Sequence, residues 1–303
     1  MPHNYSFRIE KEEMISIDWI ELLRCTIDYI EAHLLDPISA EDIARNLNMS
    51  SFYLQKGFRL MTGYSIGEYI RNRRLYLAAL DLLEDDKKVI DLAFLYGYET
   101  PESFTKAFRR FHGVSPVQIK TQGYKMKQFL PLNIQISVSG GSKLTVTIEK
   151  MEAMEVVGIE RRFPYDKAYE LIPKLWAEYC ESTMQKLCRN LPDCHIGMYG
   201  ISMEEEEDRK EFRYLIAGEY HGEEIPEGLK VVKIPGFLWA KFQSIGPMPS
   251  SIQSLNTRIF KEWLPGNPEY SIVAGYNIEM YSLGDTKAKD YISEIWIPVK
   301  RKN

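Results

Sequence analysis

Two rhythms of apolar side chains divide the chain, a helical one over roughly the first 125 residues and an alternating one beyond residue 144. In the first, Asp42-Ile43-Ala44-Arg45-Asn46-Leu47 leads through Met49-Ser50-Ser51 to Leu54, Phe58 and Met61, then to Gly63 and Ser65. The same order returns as Asp91-Leu92-Ala93-Phe94-Leu95-Tyr96, Gly97-Tyr98, then Phe104, Phe108 and Phe111, then Gly113 and Ser115. Ala44 and Ala93 stand 49 residues apart, while Leu54 and Phe104, Phe58 and Phe108, and Gly63 and Gly113 stand 50 apart. The second copy thus has one extra residue in its turn. Each copy predicts a short helix, a tight turn and a longer helix with apolar positions at i, i+4 and i+7. Ser50 and Ser51, or Thr100 with Pro101, suit the start of the longer helix, and Gly63 and Gly113 its left-handed end. A helix over Tyr64–Leu83, carried by Ile66, Ile70, Leu77, Leu80 and Leu83, joins the copies. It spans roughly 25–30 Å, which is compatible with two recognition helices in successive major grooves about 34 Å apart.

After Pro116 the pattern changes. Residues 121–143, with Gly123, Pro131 and Gly140-Gly141, predict a connector. Alternation then predicts strands over Leu144–Glu149, Val156–Arg161, His195–Met203, Phe212–Tyr220, Leu229–Ile234, Leu238–Gln243, Val273–Tyr281 and Tyr291–Pro298. Helices are expected near Lys167–Lys186 and Pro249–Leu264. The expected fold is an all-α double helix-turn-helix N-terminal domain followed by an α+β domain of two strand-strand-helix-strand-strand repeats. Phe163-Pro164 and Gly246-Pro247, 83 residues apart, both close a second strand and precede a helix. The boundaries are 16–125, a linker at 126–143, and 144–303. Halves meeting side by side leave a groove suited to a ligand. Alternation places Asn277, Glu279 and Tyr281 on one face of their strand, and Glu294 and Trp296 together on one face of the last. A carboxylate beside aromatic rings suits a cationic or polar aromatic guest. A solvated outer face with rings covering the strands is the other reading.

Charge sharpens the first third. The chain carries a formal net charge of −5, but Arg45–Arg74 holds six bases against Glu68, and Ser103–Lys127 six bases and no acid. From Leu144 onward there are 20 bases and 25 acids. Basic charge concentrated in two short segments is how a phosphate footprint looks in sequence. Off the apolar stripes lie Tyr53, Gln55, Lys56 and Arg59 in one copy, and Glu102, Ser103, Thr105, Lys106, Arg109 and Arg110 in the other. Most of these are side-chain types that reach base edges and phosphates.

These motifs closely resemble the AraC/XylS-type DNA-binding domain over residues 20–125. The likeness rests on Ile43-Ala44, Leu54-Gln55-Lys56-Gly57-Phe58, Gly63-Tyr64-Ser65, Arg74-Leu75, Asp91-Leu92-Ala93, Gly97-Tyr98, Phe108-Arg109-Arg110 and Gly113-Val114-Ser115-Pro116. The resemblance implies seven helices, with base-reading positions at Phe52, Gln55 and Lys56 and at Glu102, Ser103, Thr105 and Lys106. Phe52 reads equally as a core residue. Residues 144–303 resemble the GyrI-like effector-binding domain through Met198-Tyr199-Gly200-Ile201, Phe212–Gly218, Ile225–Leu229, Glu262-Trp263-Leu264-Pro265, Ile278-Glu279-Met280-Tyr281 and Glu294–Val299. That resemblance places Glu279 in a ligand groove, with Trp176, Tyr199, Trp263, Trp296 and Tyr281 as candidate walls. Trp176 and Trp263 read equally as core.

The expected function is a sequence-specific, DNA-binding transcriptional regulator whose C-terminal domain binds a small-molecule effector, cationic or aromatic. The partners are double-stranded DNA and that effector, with RNA polymerase as a further candidate. No membrane partner, catalytic residue, metal or cofactor is expected. Cys188, Cys194 and His195 match no zinc spacing, and the cysteines read as reduced thiols, one or two of them buried beside a loop. The first 18 residues carry four acids and no basic-then-apolar pattern, so a cytoplasmic location is expected. A GyrI-like domain that hydrolyses xenobiotics, and a DNA-organising protein without an effector, are the competing readings.

Overall fold

The computed structural model describes residues 19–84, 87–119, 126–134, 144–181, 195–204 and 211–302. The first 18 residues, Gly123, Gly140-Gly141, Cys188 and Cys194 lie outside these.

Seven helices come first: α1 (Trp19–Ala32), α2 (Ala40–Asn46), α3 (Ser51–Thr62), α4 (Ile66–Glu84), α5 (Val89–Leu95), α6 (Pro101–His112) and α7 (Pro116–Ile119). The duplicated motifs set their ends. Ser50 caps α3 by accepting from the Tyr53 amide, Thr100 caps α6 through the Ser103 amide, and Pro101 opens α6. Gly63 and Gly113 end these helices with φ of 81° and 83°, a backbone region where a side chain would be strained. Ser65 and Glu68 form a reciprocal cap, which starts α4 two residues later than its apolar period suggests. At 19 residues, α4 is about 28 Å long.

Helix α4 serves two apolar clusters. One gathers Ile30, Ile43, Leu54, Phe58 and Tyr69, and the other Leu75, Leu82, Leu92, Phe104 and Phe108. Each helix-turn-helix thus has its own small core. Residues 126–134, expected as linker, lie against the first one through Phe129, Leu132 and Ile134. They are tied there by Arg73, which donates to the Phe129 carbonyl and pairs with Glu31 at 2.7 Å.

The second half of the chain forms β1 (Val146–Met151), β2 (Met154–Pro164), α8 (Ala168–Glu181), β3 (Tyr199–Glu204), β4 (Glu211–Glu219), β5 (Lys230–Ile234), β6 (Phe237–Ile245), α9 (Ser250–Arg258), β7 (Tyr270–Ile272), β8 (Tyr276–Tyr281) and β9 (Ile292–Arg301). A π-helical stretch, Ile259–Trp263, and a last turn, Leu264–Gly266, extend α9. Among the described residues the strands make one antiparallel nine-stranded sheet in the order β1-β6-β9-β8-β3-β4-β2-β5, with β7 added beside β9. This differs from two self-contained repeats. β1 pairs with β6 and β5 with β2, so the outer strands exchange between halves, and the halves join at the β3–β8 seam. β7 was not expected, because three residues are too few to display alternation. Helices α8 and α9 pack on one face, around Leu175, Ile216, Phe242, Leu255 and Ile295. The opposite face carries Val156, Tyr199, Ile201, Trp239 and Trp296.

Candidate functional site

The two long helices of the duplicated motif meet different fates. On α6, only Phe104, Phe108 and His112 are buried. Glu102, Ser103, Lys106, Arg109 and Arg110 are exposed and Thr105 is half-buried, so this helix presents a polar, mostly basic face to solvent. On α3, Ser51, Phe52, Tyr53 and Gly57 are buried in addition to the core residues Leu54 and Phe58. What covers them is the sheet domain. Phe52 meets Phe212 edge-on at 5.4 Å, and Trp19 of α1 meets Phe260 at 5.5 Å. Gly57 permits the closure, since a Cβ there would overlap both Trp19 and Phe260.

Polar contacts fasten the same surface. Glu204, at the end of β3, accepts from the Ser50 hydroxyl, from the Ser51 amide at 2.7 Å and from the Phe52 amide at 3.4 Å. The Tyr53 hydroxyl donates to the Tyr276 carbonyl. Lys56 Nζ donates to Asn277 Oδ1 at 2.7 Å. Burial lowers this amine from its usual 10.5 to about 8, while the nearby Glu279 carboxylate pulls it upward.

Beneath α3 lies a cavity of about 900 Å³, open on one side. Its floor is the β3–β8 seam, its flanks are α8 and α9, one wall is α3, through Phe52, Gln55, Lys56 and Arg59, and the segments 195–198 and 282–286 complete the lining. Glu279 lines it and accepts from the Tyr281 hydroxyl at 2.8 Å. Gly200 stands opposite Glu279 in the β3–β8 register, where a side chain would overlap the Tyr214 hydroxyl, so glycine keeps the floor open. Trp176 donates to Tyr214 at 2.8 Å and meets Tyr281 edge-on at 5.2 Å. Burial, with Glu279 adding to it, holds the Tyr214 and Tyr281 hydroxyls well above the usual phenol range. Tyr169 lines the cavity while 46% exposed, and partial desolvation pushes it up to about 12, the Arg59 guanidinium over its ring opposing that rise. Among the described residues, buried Asn256 Oδ1 of the cavity wall has no hydrogen-bond partner.

Of the expected ligand residues, Glu279, Trp176 and Tyr281 meet in this cavity; Tyr199, Trp263 and Trp296 do not. The β8–β9 register pairs Glu279 with Ile295 and Ile278 with Trp296, which turns Trp296 to the opposite face. There it donates to Glu294 at 2.6 Å and meets Tyr199, whose partner across the seam is Met280. Trp263 packs edge-on against Phe242 at 4.8 Å. Tyr169, Phe212, Tyr214 and Asn256 line the cavity without having been expected; only Asn277 had been signalled, by sharing a strand face with Glu279. Gln55 is held within its own domain, donating to Ser51 Oγ at 3.0 Å. Among the described residues no cluster of His, Cys, Asp and Glu could hold a metal ion, and no helix is long and apolar enough to cross a membrane.

Comparison with known proteins agrees with both halves. Residues 144–300 match the GyrI-like small molecule binding domain, and residues 43–122 a helix-turn-helix domain. The regulatory protein SoxS of Salmonella typhimurium is 36% identical over 90 residues, which cover 30% of this chain and 84% of that protein. An uncharacterized HTH-type transcriptional regulator of Bacillus subtilis, YbfP, is 40% identical over 96 residues, so the chain spans only 32% of that relative's length. The structure of SAV2435 bound to tetraphenylphosphonium aligns with 52% of this chain and 94% of its own, at 18% identity and a TM-score of 0.44. Over half of its length the chain belongs to the GyrI-like small-molecule-binding family, and its first third belongs with the AraC-type regulators: it is a DNA-binding transcription regulator with a small-molecule effector domain.

Proposed function

We propose that this regulator senses an aromatic cation in the Glu279 cavity and reads DNA through α3 and α6. The division of labour is residues 16–125 for DNA, 126–143 as the join, and 144–303 for the effector. The observation that carries this reading is the Glu279 carboxylate, set among Trp176, Tyr214, Tyr281 and Tyr169 in a cavity of about 900 Å³ that Asp166 also lines. A carboxylate attracts a cation, ring faces add cation–π attraction, and low polarity strengthens both. Asn256 Oδ1 offers a further acceptor. The cavity floor lies where the two halves of the sheet meet, the place two strand-strand-helix-strand-strand repeats would leave for a ligand.

On the DNA side, Arg109 and Arg110 supply phosphate contacts, and Glu102, Ser103, Thr105 and Lys106 face the groove from the first half of α6. Phe52, Gln55, Lys56 and Arg59 are the corresponding positions of α3. RNA polymerase is the expected further partner and the cytoplasm the expected location. We favour a receptor over an enzyme, since the relatives are transcription regulators.

Tetraphenylphosphonium, a compact aromatic cation, serves as probe. It is expected to raise the melting temperature of the full chain, and Glu279→Gln to weaken its binding at least about tenfold, the order of one buried charge contact. Equal binding by parent and Glu279→Gln would remove the carboxylate from the site.

A further inference from the structure

The duplication supplies an internal control for the first recognition helix. Positions 50 residues apart set Phe52 against Glu102, Tyr53 against Ser103, Gly57 against Ala107 and Leu60 against Arg110. The outward face of α6 is therefore polar and exposed, whereas that of α3 adds buried Phe52 and Tyr53 to the half-buried Gln55, Lys56 and Arg59, with a gap at Gly57 into which Trp19 and Phe260 fit. Phe52 and Tyr53 belong to the same apolar cluster as Phe212, Phe260 and Ile297 of the sheet domain. A recognition helix must turn its outward face into the major groove. In this structure that face is already occupied.

The occupant offers α3 the chemistry of a duplex. Glu204 places an anionic oxygen on the first amides of the helix, where a backbone phosphate is held. Asn277 places a carbonyl acceptor on the Lys56 amine, as a base edge does. The Lys56 amine also stands in the effector cavity under the pull of Glu279, so the cavity already contains a cation. A ligand cation competing with this amine for Glu279 in a low-polarity space is repelled by it.

We propose that the effector domain latches α3 in a DNA-silent state, with Lys56 as the resident cation of the Glu279 cavity, and that a ligand cation frees α3 by replacing that amine. This rests on the Glu279 cavity being the effector site. Glu204 and the Tyr53 hydroxyl hold the latch from outside the cavity, so they separate latching from ligand binding. A ligand that binds the released state better shifts the population toward it, and any change that loosens the latch raises affinity for both ligand and DNA.

The test uses the full chain, its Glu204→Gln and Tyr53→Phe variants, and a mixed-sequence duplex followed by fluorescence anisotropy at several salt concentrations. Both variants are expected to bind the duplex about 5–150-fold more tightly than the parent, the usual range of a coupling between sites. Their salt dependence is expected to be steeper, because a freed α3 adds phosphate contacts. Tetraphenylphosphonium should carry the parent toward the variants and speed hydrogen exchange at the amides of residues 51–53. Folded variants with the parent's affinity and salt slope would overturn the latch; should Glu204→Gln fail to fold, Tyr53→Phe decides. A probe that binds but lowers DNA affinity, or protects residues 51–53, would overturn the release step. A probe that does not bind at all would remove the cationic-effector reading and the release step with it, and the two variants would still decide the latch.

Discussion

Lys56 is where the two halves of the molecule contend for one side chain. Its docked amine, lowered by burial to about 8 against 10.5 when free, binds fewer protons between those values than an undocked one. The docking penalty is therefore fully present below about pH 8 and is relieved as pH rises through that window. The amine donates to Asn277 and feels Glu279, both of β8. The other titratable or charged groups lining the cavity are Arg59 of α3 itself, Tyr165 and Asp166 just before α8, Tyr169, Tyr179 and Cys180 of α8, His195 before β3, Tyr214 of β4, Tyr281 of β8 and Tyr291 before β9. Desolvation pushes the Tyr169, Tyr214 and Tyr281 phenols above their usual range. Paired spin labels on α3 and the sheet domain should report a docked population that grows from about pH 8 to 10 in the parent. Lys56→Met should be docked at every pH in that range. A parent population independent of pH would mean the amine is not buried when docked. At this scale the sequence is informative about Glu279, because a period of two assigns a strand residue to a face. It is silent about which strand lies alongside. The family resemblance groups Trp296 with the cavity, and one register, Ile278 opposite Trp296, turns it away.

Helices α3 and α6 are the same element written twice, and their differences carry the information. Caps, lengths and glycine ends agree, since these depend on residues within one turn. The outward faces do not agree, and only α6 remains exposed. Arg109 lies on that face in the last turn of α6. Arg109→Ala is expected to weaken all duplex sequences alike and to reduce the slope of log affinity on log salt by about one, the share of a single phosphate contact. Loss confined to one sequence would reassign Arg109 to base reading. The strands follow the alternating pattern, though β3 starts at Tyr199 rather than His195 and β8 at Tyr276 rather than Val273; β7 is held by its pairing with β9 over only three residues.

For the whole molecule, the DNA-binding half has its own core in two clusters around α4, while α3 shares a third cluster with the sheet. An excised chain ending at residue 134 is therefore expected to fold, and to bind mixed-sequence duplex more tightly than the full chain. With Trp19, Phe52 and Tyr53 uncovered it should also self-associate, as an exposed apolar patch of that kind does. Sedimentation and anisotropy of the fragment beside the parent check both expectations, and equal DNA affinity would argue that the sheet domain leaves α3 free in solution.

The helix-turn-helix pair, its caps, the strand pattern and the carboxylate at position 279 were all determined by the chain's own order of residues, because each depends on neighbours within a few positions. Which strands pair, which rings reach the cavity, and the burial of α3 against a surface more than 150 residues away were decided only by folding. An apolar residue in sequence records that it will be covered, and not by what; Phe52 and Tyr53 carried that record, and the tertiary structure supplied the cover.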